Sequence, residues 1–310
     1  VGELAPIALF VYKRADHLQA TLTSLKSCNG FGRSKIIVFG DGAKTERDLE
    51  AVEAARRVAR DQLGLSAEYR FNRDNRGLAL SIIQGVDEVT KTYGRAIVLE
   101  DDLLVSPNFL QFMNDALARY ENDPRVFQVS GHMFNAPEFQ RRTTALFLPF
   151  TTTWGWATWR RAWIRFDPFA EGWTALRTDA ALRTRFNLDG AYDYASMLEQ
   201  QMAGFRDSWG IRWYWSAYKN KGVACFPPVP LVRNIGMDGT GTHGRGVLRR
   251  FNDGSAPKGA NPIVFPSTVS LDPQDYLAVT RAIRRQNGGW IGATADRVRR
   301  RFGFLLRRRG

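Results

Sequence analysis

Two observations predict an α/β fold with a mainly parallel sheet flanked by helices. First, short aliphatic and β-branched runs recur along the first half: Ile7-Ala8-Leu9-Phe10-Val11-Tyr12, Lys35-Ile36-Ile37-Val38-Phe39-Gly40, Glu68-Tyr69-Arg70-Phe71, Ala96-Ile97-Val98-Leu99 and Val126-Phe127-Gln128-Val129-Ser130. Such runs read as strands buried on both faces. Second, segments of helical length separate them, and strands alternating with helices on this scale argue a parallel sheet. At 310 residues with 44% hydrophobic content, the chain has enough apolar surface for one large domain or two intimately packed ones.

The elements follow in order. After the first strand, Asp16 is the expected helix cap, with Gln19 three residues on and Leu18, Leu22 and Leu25 as the apolar stripe. The second strand ends at Asp41-Gly42, and a helix is expected from about Glu46 to Leu63. Asn75-Arg76-Gly77 opens a third helix running to about Lys91, and Ser106-Pro107 starts the next, with a good cap residue and Pro at the first position. Beyond about residue 145 the alternation is lost. Tryptophans cluster at Trp154, Trp156, Trp159, Trp163 and Trp173, then at Trp209, Trp213 and Trp215, and Trp209 to Asn220 reads as a helix. Asn252 to Pro273 reads as a loop or linker.

The acidic triplet Glu100-Asp101-Asp102 closes the fourth strand, and open α/β sheets bind ligands outside the carboxyl ends of their strands. Three adjacent negative charges repel one another unless something positive sits between them. A hard divalent cation shared with substrate phosphates is one resolution, and a solvated acidic turn is the other.

Pro6 to Arg14, Gly40-Asp41-Gly42, Val98 to Asp102 with Ser106-Pro107-Asn108-Phe109 after it, Trp154-Gly155-Trp156, Phe205-Arg206-Asp207-Ser208-Trp209 and Gly241-Thr242-His243 occur in that order. The series resembles nucleotide-sugar glycosyltransferases of the GT-A fold over roughly residues 5 to 245. It is particularly similar to the inverting N-acetylglucosaminyltransferases that extend mannose arms, and to bacterial family-two-like sugar transferases. The resemblance implies a Rossmann-like GT-A domain over residues 1–265, with a nucleotide-sugar-binding half (1–145) and an irregular acceptor-side half (146–265). A linker and a basic helical tail are expected over 266–310.

The implied activity is inverting, metal-dependent transfer of a hexosyl or N-acetylhexosaminyl group. The donor would be a nucleotide-sugar, foremost a UDP-sugar, and the acceptor a glycan, lipid-linked or a surface polysaccharide precursor. The implied cofactor is Mn²⁺ or Mg²⁺. By the same resemblance Asp102 touches the metal, Glu100 and Asp101 hold the ribose, the sugar or metal-bound water, and Arg14 and Asp41 contact the nucleotide base. His243 is the expected C-terminal ligand of the metal or diphosphate.

Asp207 is the expected general base, because an inverting transfer needs one carboxylate within reach of the acceptor hydroxyl. Ser208 stands where the eukaryotic pattern has a second acid, and Asp193 and Asp238 are the next candidates. Trp154, Trp156 and Trp209 are assigned to substrate contact, since an indole face offers a platform to a sugar's C–H face. His17 and His132 read as structural. Two rival classes remain: a sugar-phosphate nucleotidyltransferase, although the first turn Lys13-Arg14-Ala15-Asp16 lacks a Gly-rich phosphate loop, and a non-enzymatic membrane-associated binding protein.

Charge is unevenly placed. The chain carries +13, and residues 281–310 hold ten arginines against one acid, Asp296, leaving about +4 for the rest. Val298, Phe302, Leu305 and Leu306 form a stripe at helical spacing among these arginines, as in helices attracted to anionic membrane surfaces. No nucleic-acid recognition motif accompanies them. No run approaches the roughly 18 apolar residues of a bilayer span. The first residues lack the basic stretch and cleavage site of a secretory signal. Two cysteines, Cys28 and Cys225, imply no disulfide framework and fit a reducing cytoplasm. The expected location is therefore cytoplasmic, peripheral at the inner membrane face.

Overall fold

The computed structural model describes residues 4–236 and 262–286. The first half runs β1 (Ile7–Val11), α1 (Ala15–Lys26), β2 (Ile36–Gly40), α2 (Leu49–Leu63), β3 (Ala67–Phe71), α3 (Leu78–Tyr93), β4 (Arg95–Glu100), β5 (Leu103–Val105), α4 (Phe109–Arg119) and β6 (Val126–Ser130). The second half adds β7 (Leu146–Leu148), β8 (Trp156–Trp159), α5 (Arg160–Trp163), α6 (Ala175–Thr178), α7 (Ala180–Phe186), α8 (Tyr194–Met202), α9 (Trp209–Lys219), β9 (Val223–Phe226), β10 (Val232–Asn234) and α10 (Pro273–Gln286). All five expected strands form. So do the helices expected before residue 221, with small shifts at their starts. Asp16 lies inside the first turn of α1, where Arg14 holds the cap position, and Asn108 rather than Ser106 precedes α4.

Eight strands form one sheet in the order β3-β2-β1-β4-β8-β6-β9-β7. The first four are parallel, with Ile7 level with Ile36 on one side and Ile97 on the other. Along β1, Ile7, Leu9 and Val11 join the core beneath α1, α2 and α4, while Ala8 and Phe10 join the core beneath α3 and α9. A strand buried on both faces cannot alternate apolar with polar, and this explains its continuous apolar run. The arrangement is the α/β, GT-A-like fold expected.

The second half is woven into the same sheet. β8 lies antiparallel between β4 and β6, pairing Trp156 with both Val98 and Ser130. A separate ribbon of β5 and β10 brings the chain before Gly236 back over the acidic triplet.

The boundary expected between residues 265 and 266 does not separate a tail from the body. Phe265 stacks on Phe112, Tyr120 Oη donates to the Pro266 carbonyl, and Phe147 bridges to Leu271. Helix α10 buries Ala278, Val279, Ala282 and Ile283 against a third core formed by α7, α8, α9 and β7. The amphipathic stripe from Val298 to Leu306 lies outside the described residues. No helix among the described residues is long and apolar enough to cross a membrane.

Candidate functional site

The carboxyl ends of β1 and β4 meet at the acidic triplet, and the three acids do different work there. Asp101 is only 4% exposed. One of its oxygens accepts the Tyr12 backbone N–H (3.0 Å) and the other accepts Arg14 Nη2 (3.0 Å). Thr21 Oγ1 donates to the Asp101 carbonyl (2.9 Å). The assignment of Asp101 to ribose, sugar or metal water is therefore corrected. Its carboxylate is spent on holding the turn after β1 and does not reach the cleft.

Asp102 shares Arg14, whose Nη2 donates to Asp102 Oδ2 at 2.7 Å. Its other oxygen, Oδ1, is buried without a partner, and so is Arg14 Nη1. The Ile235 N–H donates to the Asp102 carbonyl (2.8 Å), bringing Gly236 against the pair. A side-chain carbon on Gly236 would overlap both Asp102 and Arg14, so any larger residue here would displace the pair. Burial opposes the charge of Arg14, but Asp101 and Asp102 outweigh it and raise its pKa. Glu100 is pushed up to about 8, first by burial and then by the charges of Asp102 and Asp101, with Arg14 opposing. Among the described residues, Arg14 is thus the arginine paired with two of these three acids.

A cleft of about 310 Å³ opens beside this corner. Arg14, Glu100 and Asp102 line one side. Asp207, Trp209, Trp154, His132, Tyr192, Tyr194 and Ile283 also line it. Asp207 stands two residues before α9, its carboxylate 63% exposed and 3.8 Å from Arg212. Ser208 occupies the cap position, which leaves the Asp207 side chain to solvent. A side-chain carbon on Gly77, at the start of α3, would come within 3.5 Å of Asp207 Oδ2. Asp193 instead caps α8, accepting from the Ser196 N–H (3.3 Å) and Oγ (2.7 Å). Asp238 and His243 lie outside the described residues.

Two further expectations change. Trp156 is fully buried, stacked on Trp209 with ring centroids 5.1 Å apart, and touches no part of the cleft. Its assignment to substrate contact is corrected, because as a residue of central strand β8 it fills the core under α9. Asp41 does not line the cleft either. It accepts the N–H groups of Arg76 (2.9 Å) and Gly77 (2.9 Å) and the Asn75 amide (3.0 Å), and so shapes the loop that meets Asp207.

His132, read from sequence as structural, belongs to the cleft wall, with Trp154 edge-on at 4.6 Å. Its signal was its position just past the carboxyl end of β6, where ligands of such sheets gather. Thr151, Tyr192 and Tyr194, reached through loops, carried no such signal.

The donor set fits a divalent cation in part. Asp102 Oδ1 is a free anionic oxygen at a corner with surplus negative charge. No cluster of three or more His, Cys, Asp or Glu that could hold a metal forms among the described residues. An ion here would need further ligands from water or a bound molecule, the usual habit of Mg²⁺.

The family model "Glycosyl transferase family 2" matches residues 7–177. No curated protein matches the chain. Among solved structures, GalNAc-T7 with UDP, GalNAc and Mn²⁺ is similar at 12% identity and a TM-score of 0.47, over 76% of this chain and 44% of that one. The chain thus spans less than half the length of that protein. A mannosyltransferase from Pyrobaculum calidifontis, in complex with GDP-Man and Mn²⁺, is similar at 14% identity and a TM-score of 0.37, over 70% of this chain and 72% of that one.

Proposed function

The chain belongs to glycosyl transferase family 2, and from that premise we propose that it is a glycosyltransferase with a nucleotide-sugar donor, catalysing an inverting, metal-dependent transfer from a UDP-sugar to a glycan. The observation that carries this reading is the pairing, in one cleft, of a buried corner with unmet charge-bearing atoms and a solvent-facing carboxylate. The nucleotidyltransferase and non-enzymatic alternatives give way to the family match.

In this reading Asp102, beside Glu100, holds a Mn²⁺ or Mg²⁺ ion, and Arg14 turns its free Nη1 to the diphosphate. Such an ion would supply Lewis-acid stabilisation of the negative charge developing on the leaving group. Asp101 keeps Arg14 in place. Asp207 accepts the proton of the acceptor hydroxyl as that oxygen attacks the anomeric carbon from the face opposite the leaving group. Trp154 and Trp209 border the sugar. Asp41 contributes by shaping the loop beside Asp207.

The acceptor we propose is a lipid-linked glycan or a surface polysaccharide precursor at the cytoplasmic membrane face. The basic segment with its apolar stripe supports this, together with Ile283 of α10, which lines the cleft close to where that segment begins.

The test of the chemistry is Asp207→Asn. UDP-sugar binding should survive, and turnover should fall by about 10²-fold or more, the scale of losing a positioned base. Transfer at the parental rate would remove Asp207 from this role, and a product retaining the donor's anomeric configuration would overturn inversion.

A further inference from the structure

Two buried side chains that line the cleft have polar atoms without partners. His132 is 7% exposed and its Nδ1 meets no donor or acceptor, and Thr151 Oγ1 is likewise buried and unmet. Both residues line the cleft. Leaving polar atoms unmet in an interior is costly and uncommon. The backbone around them is firmly held. Ser130 Oγ donates to the His132 carbonyl (2.9 Å) and pairs with the Thr152 hydroxyl. Gln128 Nε2 donates to the Thr152 carbonyl (2.7 Å), and Trp213 Nε1 donates to Gln128 Oε1 (2.7 Å). A buried network thus fixes both segments and leaves the imidazole and the Thr151 hydroxyl over.

The chemistry of these groups selects a ligand class. Burial pushes the His132 imidazole down to about 4, so the ring is neutral, with one N–H donor and one acceptor. The Thr151 hydroxyl also both donates and accepts. Groups of this kind match neutral hydroxyls, whereas a phosphate would call for cations.

Position narrows the choice. Trp156 pairs with Val98 and with Ser130, the Gly131 N–H donates to the Gly155 carbonyl (2.7 Å), and the His132 and Trp154 rings meet. Two residues beyond those pairs, Glu100, Trp154 and His132 stand in order at the ends of three neighbouring strands. Two strand spacings are about 10 Å. His132 therefore lies roughly a pyranose ring's reach beyond the proposed diphosphate corner.

Resting on the glycosyl-transfer reading above, we infer that His132 and Thr151 read the hydroxyls of the donor's pyranosyl ring, with Trp154 as its apolar platform. They determine specificity and take no proton in the reaction.

The test uses the full chain with Mn²⁺, measuring affinity for UDP and for UDP-glucose, UDP-galactose and UDP-N-acetylglucosamine, together with the KM of whichever sugar is turned over fastest. His132→Phe keeps the ring's packing, and Thr151→Val keeps the shape without the hydroxyl. Each should weaken UDP-sugar binding and raise its KM about three- to tenfold, the scale of one lost hydrogen bond. Affinity for UDP and the Tm at neutral pH should not change, and preference among the three sugars should relax. His132→Gln, which restores a donor and an acceptor, should recover part of the loss. Folded variants with parental sugar affinity and preference would overturn the inference, and if His132→Phe does not fold, Thr151→Val decides it. A parent protein that turns over none of the three sugars defeats the UDP-sugar reading as well. An active parent with unchanged variants defeats this inference alone.

Discussion

The two walls of the cleft recognise by different physics. The corner made by Arg14, Glu100 and Asp102 is charged, with its ion pairs drawn from the ends of parallel strands and closed by Gly236. The second wall, of His132, Thr151, Trp154, Tyr192 and Tyr194, is built of an imidazole, hydroxyls and aromatic rings, and comes from loops, antiparallel additions and the start of α8. Charge in a buried corner is strong but weakly directional, suited to phosphates. Neutral hydrogen-bonding groups among aromatic rings are individually weak but directional, suited to telling one hydroxyl pattern from another. The walls also differ in what supports them: the corner is held by the sheet, the second wall by packing that includes α10.

Removing α10 should give the largest effect and fall on one wall. A chain ended at Leu271 loses the burial of Ala278, Val279, Ala282 and Ile283, costing about 5 kcal/mol and about 10 °C in Tm. Ending at Gln286 retains every described contact of α10 and should melt as the parent does. Thermal melts of the two truncations decide this, and equal Tm values would mean that α10 is dispensable to the aromatic wall.

Within the charged corner, neighbouring carboxylates should part company. Asp101→Asn removes a buried partner of Arg14 and should cost about 3 kcal/mol of stability, read by urea unfolding. Asp102→Asn should keep more of the stability but lose most of the Mn²⁺-dependent gain in UDP-sugar affinity, read by calorimetry, because a neutral amide ligates a hard cation poorly. The opposite pattern would interchange the two roles.

The smallest effect concerns His132. Its folded pKa, near 4, lies below the ordinary value of 6.5. The unfolded chain therefore binds more protons between those values, and stability falls as pH drops from 6.5 toward 4. At pH 5 the loss from this group is about 2 kcal/mol. Glu100, raised to about 8, has the opposite slope above its unfolded value. The comparison is therefore between the parent and His132→Phe at each pH, and identical pH–stability curves would show that the imidazole is not held neutral by burial.

Much of the first half was legible because its signals are local. Apolar runs of strand length, helical stripes such as Leu18, Leu22 and Leu25, and three acids after a strand survive being read in isolation. The second half hid its strands. β7, β9 and β10 have only three or four residues each, too few for a periodic pattern, and β8 is an aromatic run equally readable as a substrate platform.

By itself the sequence determined the class of fold, the place of the acidic triplet at the end of β4 and the position of Asp207 just ahead of a helix. These depend on near neighbours along the chain. Only the tertiary structure decided that Asp101 is spent on Tyr12 and Arg14 while Asp102 keeps a free oxygen, that Trp156 is core, that His132 faces the cleft and that residues 262–286 belong to the body. Each of those outcomes depends on what stands opposite a residue across strands or helices distant in sequence. An aspartate, a tryptophan or a histidine carries no mark of the partner that the fold will give it.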